Sequence, residues 1–135
     1  MEHRIDFLDE INCVAIKILG EPTFNEVQRD LRRLLNHPQY RPGIDMLVDC
    51  RETEYKQLSA STIRDLARAF TKDATANRPG NLALVVRGKL GFGLARMWEF
   101  LVNVDVPVQV FKSMEEAREW LGLRDVQFRF DGSGE

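Results

Sequence analysis

The stretch from Asn81 to Val102 constrains the fold more than any other part of this chain. An apolar run, Leu82-Ala83-Leu84-Val85-Val86, meets a glycine-rich segment and then an almost wholly apolar pattern at helical spacing. The glycines Gly88, Gly91 and Gly93 stand where a parallel strand would hand over to a helix, a place where close backbone approach or positive φ is required. The spacing predicts strand, glycine turn and a third helix from Phe92 to Val102.

The remaining elements follow from local signals. Ile5 and Phe7, then Ile11, Cys13, Ala15 and Ile18, flank Asp9-Glu10 and read as an antiparallel hairpin. Thr23 with Glu26 forms a capping box, and Phe24, Val27, Leu31, Leu34 and Leu35 recur helically until Asn36-His37-Pro38. Ile44 to Cys50 reads as a buried strand ending in polar residues, and Ser59 as the N-cap of a second helix with the stripe Ile63, Leu66, Ala67, Phe70 and Ala74. Val106 to Phe111 gives another strand. Ser113 with Glu116 opens a fourth helix that Gly122 caps.

A first hairpin followed by alternating strands and helices predicts an α/β fold. It has a mixed, mostly parallel sheet of about five strands, an N-terminal antiparallel hairpin and four helices. Ligands in such sheets sit beyond the carboxyl ends of the strands, which would gather Asp49, Cys50, Arg51, Arg87, Gly88, Lys89, Lys112 and Ser113 at one edge. At 135 residues, 44% hydrophobic, the chain suits one compact domain. Its 19 basic and 21 acidic residues leave a net charge of -2 with the basic side chains dispersed, which argues against a nucleic-acid surface. No apolar run reaches the roughly 18 residues of a membrane span and no signal segment opens the chain, so a cytoplasmic protein is expected. Cys13 and Cys50 lie in strand-like runs without metal-ligand spacing and are expected as reduced core thiols, with no metal and no cofactor.

Gly20 before the capped first helix, Tyr40-Arg41-Pro42-Gly43, Leu47-Val48-Asp49 and above all Phe92-Gly93-Leu94-Ala95-Arg96-Met97 give the chain a resemblance to the bacterial STAS/SEC14-like (SpoIIAA-like) domain proteins. The resemblance covers Ile5 to about Gly122, and the chain is expected to hold a single domain of this kind over residues 1–122. Residues 123–135 are left as an extension, with a short strand at Val126, Phe128 and Phe130 and a flexible Gly132-Ser133-Gly134 end. It implies kinship in fold with anti-sigma-factor antagonists and lipid-carrying modules, and it supplies no catalytic residues. Phosphorylated STAS domains carry a hydroxyl directly after the strand-end aspartate. Here Asp49 is followed by Cys50, so Ser59 and Ser61 at the start of the second helix are the remaining phosphosite candidates, with a plain cap as the simpler role for Ser59.

Gly88-Lys89-Leu90-Gly91-Phe92-Gly93 lacks the closing Lys-Ser/Thr of a P-loop, and Arg96 stands where a dinucleotide fingerprint needs a small residue. What survives is an anion site in which amides at the helix start, with Arg87, Lys89 or Arg96, hold a carboxylate or phosphate. The simpler alternative is a structural turn. From Phe92 onward the helix is apolar nearly all round, so Phe92, Met97, Trp98 and Phe100 are expected to divide between core and an interaction surface. Thiol catalysis at Cys50 lacks a positioned base, since His3 and His37 lie at a chain start and a helix stop. The expected function is a non-enzymatic regulatory or protein-interaction module, homodimeric through the third helix. The alternative is a small-molecule or lipid-binding domain with its anionic head near Gly88 to Arg96 and its apolar body on Phe92, Met97 and Trp98.

Overall fold

A computed structural model describes residues 2–102, 105–123, 125, 126 and 128. Strands β1 (Glu2–Leu8) and β2 (Cys13–Leu19) form the expected antiparallel hairpin. Then come α1 (Phe24–Leu35), β3 (Asp45–Asp49), α2 (Ala60–Ala74), β4 (Leu82–Val85), α3 (Gly88–Leu101), β5 (Val108–Phe111) and α4 (Met114–Leu121). The five strands lie in the order β1-β2-β3-β4-β5, and every pairing after the hairpin is parallel. Parallel strands taken in chain order with crossovers of one hand put every crossover helix on one face. Accordingly α1, α2 and α3 form one layer, while α4, which follows the last strand, contacts β3, β4 and β5 from the other side.

Period-two alternation divides the strands between these faces. Val14, Ile16, Met46, Val48 and Leu82 face the crossover helices with Leu34, Leu35 and Phe70. Cys13, Ala15, Leu47, Ala83 and Val85 face the other way, where Ala117, Leu123 and Phe128 cover them. Small residues dominate that second face, which lets α4 approach closely. Phe128 is fully buried and lies under the Arg118 guanidinium, which also donates to the Val126 carbonyl. Val126 and Phe128 are not in a strand; the other residues of the expected terminal strand, Phe130 among them, and the Gly132-Ser133-Gly134 end lie outside the described residues.

The cap signals translate directly. Thr23 Oγ1 accepts from the Glu26 amide while Glu26 Oε1 accepts from the Thr23 amide, and Ser59 and Ser113 cap α2 and α4 through the amides of Thr62 and Glu116. Gly122 closes α4 with φ of 75°. Three boundaries differ from expectation. Ile11 sits in a single 3-10 turn over Asp9–Ile11, with Asn12 at φ 51° completing the reversal, so it leaves the strand and is exposed. β5 begins after Pro107, which has no amide to donate to the ladder. No glycine loop precedes α3: only Val86 and Arg87 separate β4 from a helix that starts at Gly88, the one glycine of the three with positive φ, 76°. No helix among the described residues is long and apolar enough to cross a membrane.

Candidate functional site: an apolar cavity between the sheet and the helical layer

The crossover helices do not close completely on the sheet. β2, β3 and β4 present Ile18, Val48 and Leu84 as a floor, α1 contributes Val27 and Leu31, and α2 contributes Ile63, Leu66 and Phe70. α3 supplies Gly91, Leu94, Ala95 and Trp98, and the space left between these walls is about 120 Å³. On the inner face of α3, Ala95 leaves room that a larger side chain would fill, while four residues earlier the space over Gly91 is taken by Tyr55. A second cavity of about 40 Å³ shares Ile18, Val27, Leu31 and Val48 with the first and extends under α1 to His3, Ile5 and Asp30. Apolar cavities of about 150 Å³ stay dry and take up benzene, so the larger space suits a body of single-ring size.

The segment between β3 and α2 straps the carboxyl-end mouth of this cavity. Thr53 forms an isolated parallel bridge with Gly20, and its Oγ1 donates to the Ile18 carbonyl at 2.8 Å. The Glu54 amide donates to the Gly20 carbonyl at 2.7 Å. Tyr55 Oη donates to the Cys50 carbonyl at 3.0 Å, and its ring fills the space above Gly91. Burial pushes the Tyr55 phenol and the Cys50 thiol both up to about 12. For Cys50 the Asp49 charge adds to burial, while the neighbouring Thr53 hydroxyl opposes it. The wall is therefore neutral at physiological pH and has no thiolate.

The strand-end residues split between the faces. Cys50 lines the cavity, whereas Asp49, buried, points away from it with Leu47 and is held by Arg51. Arg51 Nε and Nη2 donate to Oδ1 and Oδ2 at 2.9 Å each, and the Arg51 amide donates to Oδ1 at 3.0 Å. The parallel register does bring the ends of β3, β4 and β5 together, with Asp49 opposite Val85 and Val85 opposite Phe111.

The residues of the expected anion site lie on different sides of α3. Gly91 is buried beneath Tyr55, while Arg87, Gly88, Lys89, Gly93 and Arg96 are exposed, and Arg96 Nη1 pairs with Glu99 Oε1 at 3.2 Å. Phe92 is half-buried with Lys112 Nζ 4.7 Å from its ring centroid. Of the expected interaction residues, Trp98 turns inward onto Phe70 at 5.1 Å between centroids and Met97 joins the cluster around Leu66. Phe100 is 87% exposed. Ser59 and Ser61 are exposed, with their hydroxyl oxygens 3.1 Å apart. Sequence reasoning missed the cavity, the Tyr55 strap and Asp30; the small residues at Gly91 and Ala95 on an otherwise bulky helix were the available signal.

A search of curated proteins finds no match. Among solved structures, an uncharacterized DUF3478-family protein with a SpoIIAA-like fold from Shewanella loihica PV-4 aligns with a TM-score of 0.59 at 19% identity, over 89% of this chain and 92% of that one. At that identity the likeness is one of fold. The sequence profile of the SpoIIAA-like family matches residues 13–122, from the first residue of β2 to the left-handed glycine that caps α4. With all four parallel strands and all four helices inside that match, the chain belongs to the SpoIIAA-like family.

Proposed function

We propose that this domain binds a small apolar molecule between its sheet and the α1–α3 layer. The cavity of about 120 Å³ carries the reading. Its walls are apolar side chains, so a fitting apolar ligand gains roughly 25 cal/mol for each Å² of its surface that leaves water there. The volume also narrows the ligand, because a ring-sized body fits and a membrane lipid with full acyl chains requires the layers to part. The domain binds rather than transforms: among the described residues no histidine, carboxylate or lysine lines the larger cavity, and the one thiol there, Cys50, stays protonated.

The test is a titration of methyl-labelled protein with benzene, read by the methyl shifts of Ile18, Ile63, Val48 and Leu84, alongside Val48→Phe, which places a ring in the space itself. The expected result is saturable movement confined to lining methyl groups in the wild type and none in the filled variant. Lining methyl groups that stay still up to the solubility limit of benzene would overturn the reading.

A second reading, a regulatory module that docks through α3, is favoured by Phe100, the most exposed large apolar side chain described, and by Leu90 at 64% exposure on the same helix. Sedimentation of the wild type against Phe100→Ser addresses self-association. A wild-type protein that is monomeric throughout the accessible concentration range removes the homodimer.

A further inference from the structure

The smaller cavity sets the polarity of what the larger one holds. On α1, Val27, Leu31 and Leu34 face the sheet at helical spacing, and Asp30 falls within the same arc as its one carboxylate. Its side chain is 13% exposed, both oxygens are shut off from solvent, and neither accepts a hydrogen bond. Two basic groups stand near: His3 Nδ1 lies 3.0 Å from Oδ2, and Arg29 Nε lies 3.5 Å from Oδ1. Both side chains are partly exposed, 34% and 54%, and His3 also lines the smaller cavity. A carboxylate offers about four acceptor positions, and a buried one left short of donors costs more than an ordinary hydrogen bond returns. Asp30 therefore brings a carboxylate, short of donors, to the end of a space whose lining is apolar apart from Asp30 and His3.

We propose that Asp30 is the anchor for the ammonium head of a small amphiphilic amine whose apolar body lies in the larger cavity. This rests on the ligand-binding reading above and specifies its ligand. The two cavities adjoin across the apolar side chains of Ile18, Val27, Leu31 and Val48, so a body that displaces these side chains reaches from Asp30 toward Trp98. An ammonium supplies three donors and the compensating charge, a hydroxyl supplies one donor and no charge, and a carboxylate is repelled. The polarity is the reverse of an anionic head at the start of α3: the head sits at β1 and α1, and the body points toward α3.

The test uses the full chain with n-hexylamine, n-hexanol and hexanoate, three probes with one body, titrated by lining methyl shifts into the wild type and Asp30→Asn, with benzene as the reference ligand. A charge-assisted contact predicts that the amine binds roughly tenfold or more tightly than the alcohol in the wild type, with hexanoate weakest. In Asp30→Asn that advantage disappears while benzene binding persists. Equal binding of amine and alcohol by the wild type, or an advantage that survives Asp30→Asn, overturns the anchor and leaves the cavity reading standing. If benzene and all three probes fail to move the lining methyl groups, the cavity reading itself falls and the anchor with it. Should Asp30→Asn not fold, the wild-type ranking of amine against alcohol decides alone.

Discussion

The phenol ring of Tyr55 lies directly on the backbone of Gly91, so close that a β-carbon there would meet Oη at 2.8 Å and Cζ at 2.9 Å. Glycine inside a helix normally costs up to about 1 kcal/mol relative to alanine, so its use in α3 is explained by this approach. Gly91→Ala should gain that propensity and lose more, because Tyr55 must move and its 3.0 Å bond to the Cys50 carbonyl is disturbed. The expected net effect is a loss of about 1–2 kcal/mol. In a Tyr55→Ala background the same change should stabilise, by up to about 1 kcal/mol. Urea unfolding of the four proteins in a double-mutant cycle checks it, and equal losses in both backgrounds would show that the ring is not the reason for the glycine.

Asp49 and Arg51 should respond asymmetrically to substitution. The carboxylate is 2% exposed and the guanidinium 41%, so removing the arginine strands a buried charge, whereas neutralising the aspartate returns an arginine to water. Arg51→Ala is expected to cost about 2–3 kcal/mol, below the full range for a buried pair because the arginine is partly solvated. Asp49→Asn, which keeps an acceptor for the Arg51 amide, should cost less than Arg51→Ala. Chemical denaturation near neutral pH gives both values, and the opposite order would mean that the carboxylate is not the dominant charge.

The fold was legible where the signals are local. Thr23 with Glu26 and Ser113 with Glu116 mark helix starts within one turn of chain, and Leu82 to Val85 marks its strand without reference to anything else. The site was not legible, because it depends on how far three helices stand from a sheet. Gly88 and Gly91 look alike in sequence, yet one serves a backbone angle and the other an approach by Tyr55, a residue distant in the chain. Trp98 and Phe100 share one apolar run, and only the phase of α3 sends the first inward and the second to solvent. Asp30 was passed over because a charge on an amphipathic helix is usually solvated.

Ser59 offers a test of the second helix that separates capping from charge. Its hydroxyl accepts from the Thr62 amide at 3.2 Å, and the first turn of α2 holds no acidic residue. Ser59→Ala should cost about 1 kcal/mol through loss of the cap. Ser59→Asp should stay within a few tenths of the wild type or exceed it, since aspartate caps equally well and meets the positive end of the helix. Thermal or urea unfolding of the two variants measures this directly. A loss for aspartate as large as for alanine would mean that the hydroxyl contacts with Ser61 and Thr62 outweigh the cap.

Alkaline pH should unfold this domain earlier than its composition implies. Burial pushes the thiols of Cys13 and Cys50, on opposite faces of the sheet, from 9.0 up to about 12. In the unfolded chain both ionise near pH 9, while the folded protein keeps them protonated. Above that pH the unfolded state binds fewer protons than the native state, so stability falls as pH rises. The contribution is fully present below pH 9.0 and declines between there and about 12, with a slope approaching about 1.4 kcal/mol per pH unit for each thiol. Burial of Tyr40 and Tyr55, raised from 10.0 to about 12, steepens the decline from pH 10 onward. Urea midpoints measured at closely spaced pH values should be unaffected by these groups up to pH 8 and fall beyond 9. Cys13→Ala, at a position with no exposure beside other small residues, should remove about half of the slope between pH 9 and 10. A midpoint that holds steady through pH 10 in the wild type would show that the thiols titrate alike in both states, and the cavity wall at Cys50 would then be open to water.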